Sequence, residues 1–180
     1  MKTNHRYSLS MGIGLLVLFF LIYQTNQNPL AVDHIFSALL FMVILVFTTT
    51  FGVPLAGGTM SLLPMSTLAT FLVLDATLAG WCVFLAASTH QVVRQIFSKE
   101  LGIPPVQSKI GFVAVGIANA AIQTISILVG AWAYKSMGGQ IPFTRLDLNN
   151  FLALLVLALV YSASNLLLIA LYMAARGIDS

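Results

Sequence analysis

The chain has 180 residues, 59% of them hydrophobic and 7% charged, and its mean hydropathy is +0.97. Ordinary soluble domains are about a quarter charged, so a water-soluble fold of this length could not cover its surface, and lipid is expected to solvate most of the chain. The net charge of +3 is scattered and forms no basic stripe with interleaved aromatics, which excludes nucleic acid as a partner. The single cysteine, Cys82, excludes an intrachain disulfide framework and a cysteine-rich zinc site, and its apolar setting suits a small core residue.

Lys2 and Arg6 precede a first apolar run, about Ser8 to Tyr23, which resembles a secretory signal. The following Gln24–Asn28 offers no small-x-small cleavage pattern, so the run reads as a retained membrane helix. Pro29 lies in the polar stretch that ends it. A second segment spans about His34 to Phe51, with Asp33 as its expected N-cap. Gly52–Thr59 is a turn-rich junction.

The apolar stretch from Met60 to His90 would run about 45 Å as one helix at 1.5 Å per residue, more than a bilayer core needs. Asp75 near its middle reads as an N-cap. The stretch therefore divides into a short third segment, Ser61–Leu74, and a fourth, Ala76–Thr89. Pro64 falls near the start of the third, where its missing N–H costs little. Fourteen residues cannot cross a bilayer squarely. The backbone of the short helix and its junction must be satisfied by protein or water, so a cavity is expected there.

Segment five covers about Ile110–Tyr134 and segment six about Asn150–Ala175. With both termini cytoplasmic, Lys2, Arg6, Arg94, Lys99, Lys109 and Arg176 fall inside, and Lys135 and Arg145 outside. Six against two is the bias the positive-inside rule demands, and without the division at Asp75 most of it disappears. The expected fold is therefore a single all-α, polytopic bundle of six helical segments. It lies in the cell membrane as a multi-pass protein, with N and C termini in the cytoplasm.

Asp75 is the one carboxylate inside an apolar stretch. It reads as the N-cap of segment four, with a proton or ligand site as the alternative. Asn119 and Gln123, four residues apart, share one face of segment five, close to Thr124 and Ser126. Asn165 sits mid-segment six beside Ser162 and Ser164. These amides either hydrogen-bond between helices or line a pocket for a small polar ligand whose identity the sequence does not give, and both readings point them inward. Arg94, Lys99 and Lys109 make one basic cytoplasmic loop. His34 and His90 mark segment ends, and no two histidines have metal-ligand spacing. Gly12 and Gly14 on segment one, and Gly111 and Gly116 with several alanines on segment five, are small faces for close helix packing. Tyr23, Trp132 and Tyr134 suit interfacial anchoring, and Trp81 the core or the lipid face. The sequence holds no G-x-S-x-G, H-E-x-x-H or Walker A motif and no paired carboxylates, so neither catalysis nor a cofactor is expected.

Three stretches together resemble the multi-helix N-terminal membrane region of bacterial signalling proteins that end in HD-GYP or GGDEF domains. They are Val53-Pro54-Leu55-Ala56-Gly57-Gly58-Thr59-Met60-Ser61-Leu62, Asn119-Ala120-Ala121-Ile122-Gln123 and Tyr161-Ser162-Ala163-Ser164-Asn165, with the basic loop Arg94 to Lys109 between the first two. The resemblance implies a sensing or signal-input role and homodimerisation. In those proteins the last helix leads into a cytoplasmic output domain, whereas this sequence stops at Ser180. It is thus expected to be a truncated sensor module or a stand-alone relative, and cyclic-dinucleotide chemistry is not assigned to these residues. In size and topology the chain is also similar to the vitamin-capturing S-components of energy-coupling factor transporters, which implies a substrate-binding subunit working with a coupling protein and ATPases. A third expectation is an accessory or assembly subunit of a larger membrane complex.

Overall fold

The computed structural model of the chain describes residues 2–29, 32–51, 53–55, 58–60, 62–97, 109–145 and 147–176. It is all-helical apart from one small hairpin. The helices are α1 (Lys2–Gln27), α2 (Ile35–Thr50), α3 (Leu63–Val73), α4 (Ala76–Ile96), α5 (Lys109–Ser136) and α6 (Leu148–Arg176). Strands β1 (Val53–Leu55) and β2 (Gly58–Met60) lie between α2 and α3. Four helices, α1, α4, α5 and α6, are long and apolar enough to cross a membrane, as a membrane protein requires, while α2 and α3 are shorter apolar helices.

Side-chain contacts fix the direction of every helix. Ser10 near the start of α1 hydrogen-bonds the Tyr172 hydroxyl near the end of α6, at 2.8 Å. A Cβ on Gly111, at the start of α5, would meet the Tyr7 ring. These contacts define one end of the bundle, called proximal. At the other, distal end, Trp81 Nε1 donates to Thr25 Oγ1 (2.9 Å), joining early α4 to late α1. There the Cys82 thiol also approaches the Ala38 carbonyl (3.6 Å), joining early α4 to early α2. Thr50 at the close of α2 meets His90 Nδ1 (3.0 Å). Helices α1 and α5 therefore run from proximal to distal, and α2, α4 and α6 run back, so the two outermost helices, α1 and α6, bring their outer ends to the same end of the bundle.

The α4–α5 pair is the spine. Its alanines, among them Ala79, Ala86, Ala118 and Ala121, are buried and let neighbouring backbones approach closely. On one side of the pair Val17 and Leu21 of α1 pack against Phe84, Ala87 and Ala120. On the other side Leu45, Phe71, Leu74, Val83, Ile127, Leu157 and Tyr161 join α2, α3 and α6 to it.

Asp75 stops α3 and starts α4. Its extended backbone breaks the helix, and its carboxylate accepts from the Leu78 N–H at 2.8 Å, satisfying an orphan donor. Pro64 lies in the first turn of α3. The junction of turn residues is more ordered than composition alone suggests. Val53 pairs with Met60, Pro54 with Thr59 and Leu55 with Gly58, so the backbone of this stretch finds partners in itself.

Several boundaries differ from expectation. The fourth segment continues past Thr89 to Ile96. Gln91-Val92-Val93-Arg94-Gln95 contains no helix breaker, and polarity marks where the apolar run stops without ending the helix. Helix α1 likewise extends to Gln27, through the polar residues that were expected to end it. The third segment is trimmed to eleven residues. Asp33 does not cap α2. It lies in a 3-10 turn, Val32–His34, and the N-cap position falls to His34, which makes no side-chain capping bond. Tyr134 is no interfacial anchor. It is fully buried, edge-on to Phe71, and its hydroxyl donates to the Gln140 carbonyl at 3.0 Å. Tyr23 and Trp132 are exposed, as anchors would be.

Candidate functional site

Tyr161 is thirteen residues into α6, about 20 Å from its start and slightly farther from its end. A phenol placed mid-run among leucines and valines needs a partner. It donates to Gln123 Oε1 at 2.7 Å, and both residues are buried. Gln123 is equally central on α5, so this bond ties α5 to α6 at half-height. The Thr67 side chain of α3 and the Asn165 side chain, one turn further along α6, also lie against the Tyr161 hydroxyl.

The cluster is not fully satisfied. The Thr67 hydroxyl is completely buried and has no aligned hydrogen-bond partner. By contrast Thr124 and Ser126, buried on α5, each return to the carbonyl one turn back at 2.8 Å. Buried donors in native proteins nearly always find acceptors, so an open donor beside the phenol marks a place where something else fits or where the helices shift.

Because Thr67 belongs to α3, the cluster also fixes where that helix begins. Its C-terminal end is distal, where the Phe143 N–H donates to the Leu72 carbonyl at 2.9 Å. Its first turn therefore reaches only to about half-height. Helix α3, about 16 Å long, fills the distal half alone, and the hairpin precedes it.

The residues picked from sequence are distributed unevenly. Gln123 and Asn165 meet at Tyr161. Asn119 is half-buried one turn proximal to Gln123 and makes no hydrogen bond to a described residue. Asp75 stands apart as an exposed cap at the distal end. Arg94 lies on α4 and Lys109 opens α5, while Lys99 falls outside the described residues. Sequence reasoning missed Tyr161 as a centre, although its position amid Ser162, Ser164 and Asn165 was a usable signal. Thr67 carried none.

A second polar residue missed by sequence reasoning organises the distal loop. Asn150, 2% exposed, accepts from the Gln140 N–H at 3.4 Å and donates through Nδ2 to the Arg145 carbonyl at 3.1 Å. Its own N–H is held by Asp147 at 2.8 Å.

Two open grooves lie away from the polar cluster. One, about 650 Å³, runs between the proximal halves of α2 and α4 along Met42, Val46, Phe47 and Val93. The other, about 440 Å³, lies where α1, α4 and α5 meet, beside Gly14, Phe84 and Gly116. Both are lined mostly by apolar side chains, with Thr50 and Thr89 on the first and Ser88 and Gln91 on the second. Among the described residues, no three histidine, cysteine or carboxylate side chains come together to hold a metal ion.

Fold and site thus define an apolar helical bundle with a polar cluster at its waist. No protein-family model matches the chain, and no curated protein or solved structure matches it either.

Proposed function

We propose that the protein is a multi-pass membrane signal-input module that takes up a small amphiphilic molecule at Tyr161 and passes the event along α6. The observation that carries this reading is the unpartnered Thr67 hydroxyl, buried beside the Tyr161 phenol that ties α6 to α5 at half-height. A ligand carbonyl or hydroxyl accepting from Thr67, beside the Tyr161 hydroxyl, would compete with the Gln123–Tyr161 bond. Helix α6 is the element best placed to respond, because only 17% of its span is buried and this polar contact sits at its midpoint. In this reading six segments cross or enter the bilayer, both termini are cytoplasmic, and Arg94, Lys99 and Lys109 face the same side by the positive-inside rule.

The test is a reporter fused after Arg176 whose output depends on the position or pairing of α6. Tyr161→Phe and Gln123→Leu are expected to shift basal output and abolish the response to membrane-soluble compounds that alter it in the wild type. Output indifferent to every compound and to both substitutions overturns the reading.

A second reading, a substrate-binding subunit of a transporter, draws on the half-length α3 and the hairpin preceding it, since interrupted spans accompany substrate sites. Co-purification with a coupling protein and an ATPase would favour it over signalling.

A further inference from the structure

At the proximal end α6 closes on Arg176, and this cation is seated on the protein instead of reaching out into water. Its guanidinium lies 5.4 Å from the centre of the Tyr172 ring, and Nη1 donates to the Tyr172 hydroxyl at 3.3 Å. That hydroxyl is in turn joined to Ser10 of α1 at 2.8 Å. Arg176 Nε is enclosed and has no acceptor, while the residue as a whole is only half-buried, so the Nη edge is the part presented outward. A guanidinium carries five N–H groups, and the phenol takes one. The phenol is also neutral, so the charge itself stays unpaired. No other described group at this end pairs it. The three carboxylates among the described residues, Asp33, Asp75 and Asp147, all lie at the distal end. Arg6 adds a second positive residue instead. It precedes Ser10 by four residues on α1, as Arg176 follows Tyr172 by four on α6. The two arginines therefore stand one turn beyond the Ser10–Tyr172 bond, on the two helices that this bond joins. A cation in the last turn of a helix eases the helix dipole, which explains a charge at position 176 but neither its seating on Tyr172 nor the second arginine.

We infer that the proximal ends of α1 and α6 form a binding site for the phosphate of an anionic phospholipid, with Arg176 as the principal donor and Arg6 as the second positive group. A phosphate accepts two parallel hydrogen bonds from the planar fork of a guanidinium, which a point charge cannot supply. Its negative charge also meets the one end of the bundle where described carboxylates are absent. The depth suits a headgroup. The arginines lie in the outermost turns of α1 and α6, about 6 Å beyond the Ser10–Tyr172 pair, and the ends of bilayer-crossing helices reach the headgroup layer. Basic sites between membrane helices at one face of a bilayer hold anionic headgroups in this way. The inference stands apart from the role proposed for Tyr161, which is about 22 Å away along α6.

Lipid retention by the full chain tests the site. The protein is purified in an uncharged detergent, offered dioleoyl-phosphatidylglycerol or dioleoyl-phosphatidylcholine, and examined by native mass spectrometry. The wild type is expected to keep one phosphatidylglycerol per chain under conditions that strip phosphatidylcholine. Arg176→Gln is expected to weaken that retention about tenfold, as loss of a charge-assisted hydrogen bond does, and Arg6→Gln to weaken it as well. Lys135→Gln, a charge removed at the distal end, is expected to leave it unchanged. Arg176→Lys keeps the charge and the fold but removes the fork, and is also expected to retain less lipid than the wild type. Equal retention of the two lipids by the wild type, or undiminished retention in Arg176→Gln, overturns the inference. Undiminished retention in Arg176→Lys, or an equal loss in Lys135→Gln, reduces the effect to surface charge and overturns it too. Inorganic phosphate that raises the melting temperature of the wild type as far as phosphatidylglycerol does would assign the site to a free ion, against the lipid.

Discussion

Tyr161 and Gln123 illustrate how a single polar contact is weighed in an apolar bundle. Interhelical hydrogen bonds between membrane helices average about 0.6 kcal/mol and reach roughly 2 kcal/mol. A double-mutant cycle with Tyr161→Phe and Gln123→Leu, read by unfolding in mixed micelles, is expected to give a coupling energy in that interval. Strict additivity would show that the 2.7 Å contact contributes nothing. Asp75 is a different kind of residue, a local cap, and Asp75→Ala is expected to cost about 1 kcal/mol while Asp75→Asn keeps most of the stability. Neither change should alter ligand response, which separates it from the Tyr161 cluster. Asp75 was legible from sequence because capping is a local rule. Tyr161 was not singled out, because its importance comes from what α3 and α5 bring to it across the fold.

At the scale of elements, close packing governs. Gly14 lies against Ile117, and a Cβ there would collide with that side chain, whereas one on Gly12 would meet nothing within 4 Å. Gly14→Val is expected to lower the melting temperature in detergent by several degrees and Gly12→Val to leave it nearly unchanged; similar shifts for both would contradict the α1–α5 contact. The existence and order of the six helices could be read from apolar runs and from the break at Asp75. Their ends could not, as α4 shows by continuing through His90 and Gln91. Hydropathy reports the solvent around a helix, whereas its end depends on breakers and caps. The hairpin between α2 and α3 escaped because three-residue strands leave too short a pattern to distinguish from turns.

For the molecule as a whole, solvent and sidedness are the testable quantities. The chain is expected to remain in the membrane pellet through alkaline carbonate washing and to leave it only with detergent. In a Cys82→Ala background, Lys2→Cys and Arg176→Cys should react with an impermeant maleimide from one face and Lys135→Cys from the other. Reaction of the first two from opposite faces would rule out an even number of crossings. The stitching of the distal loop has a consequence for traffic. Asn150 holds both flanks of that loop, and Phe143 fastens it to α3. A solute arriving from the aqueous phase at the α5–α6 loop meets a stretch sewn down at both flanks. A ligand of the proposed kind that bypasses this loop comes sideways, out of the acyl chains, and its potency should then track its oil–water partition coefficient more closely than its concentration in the medium.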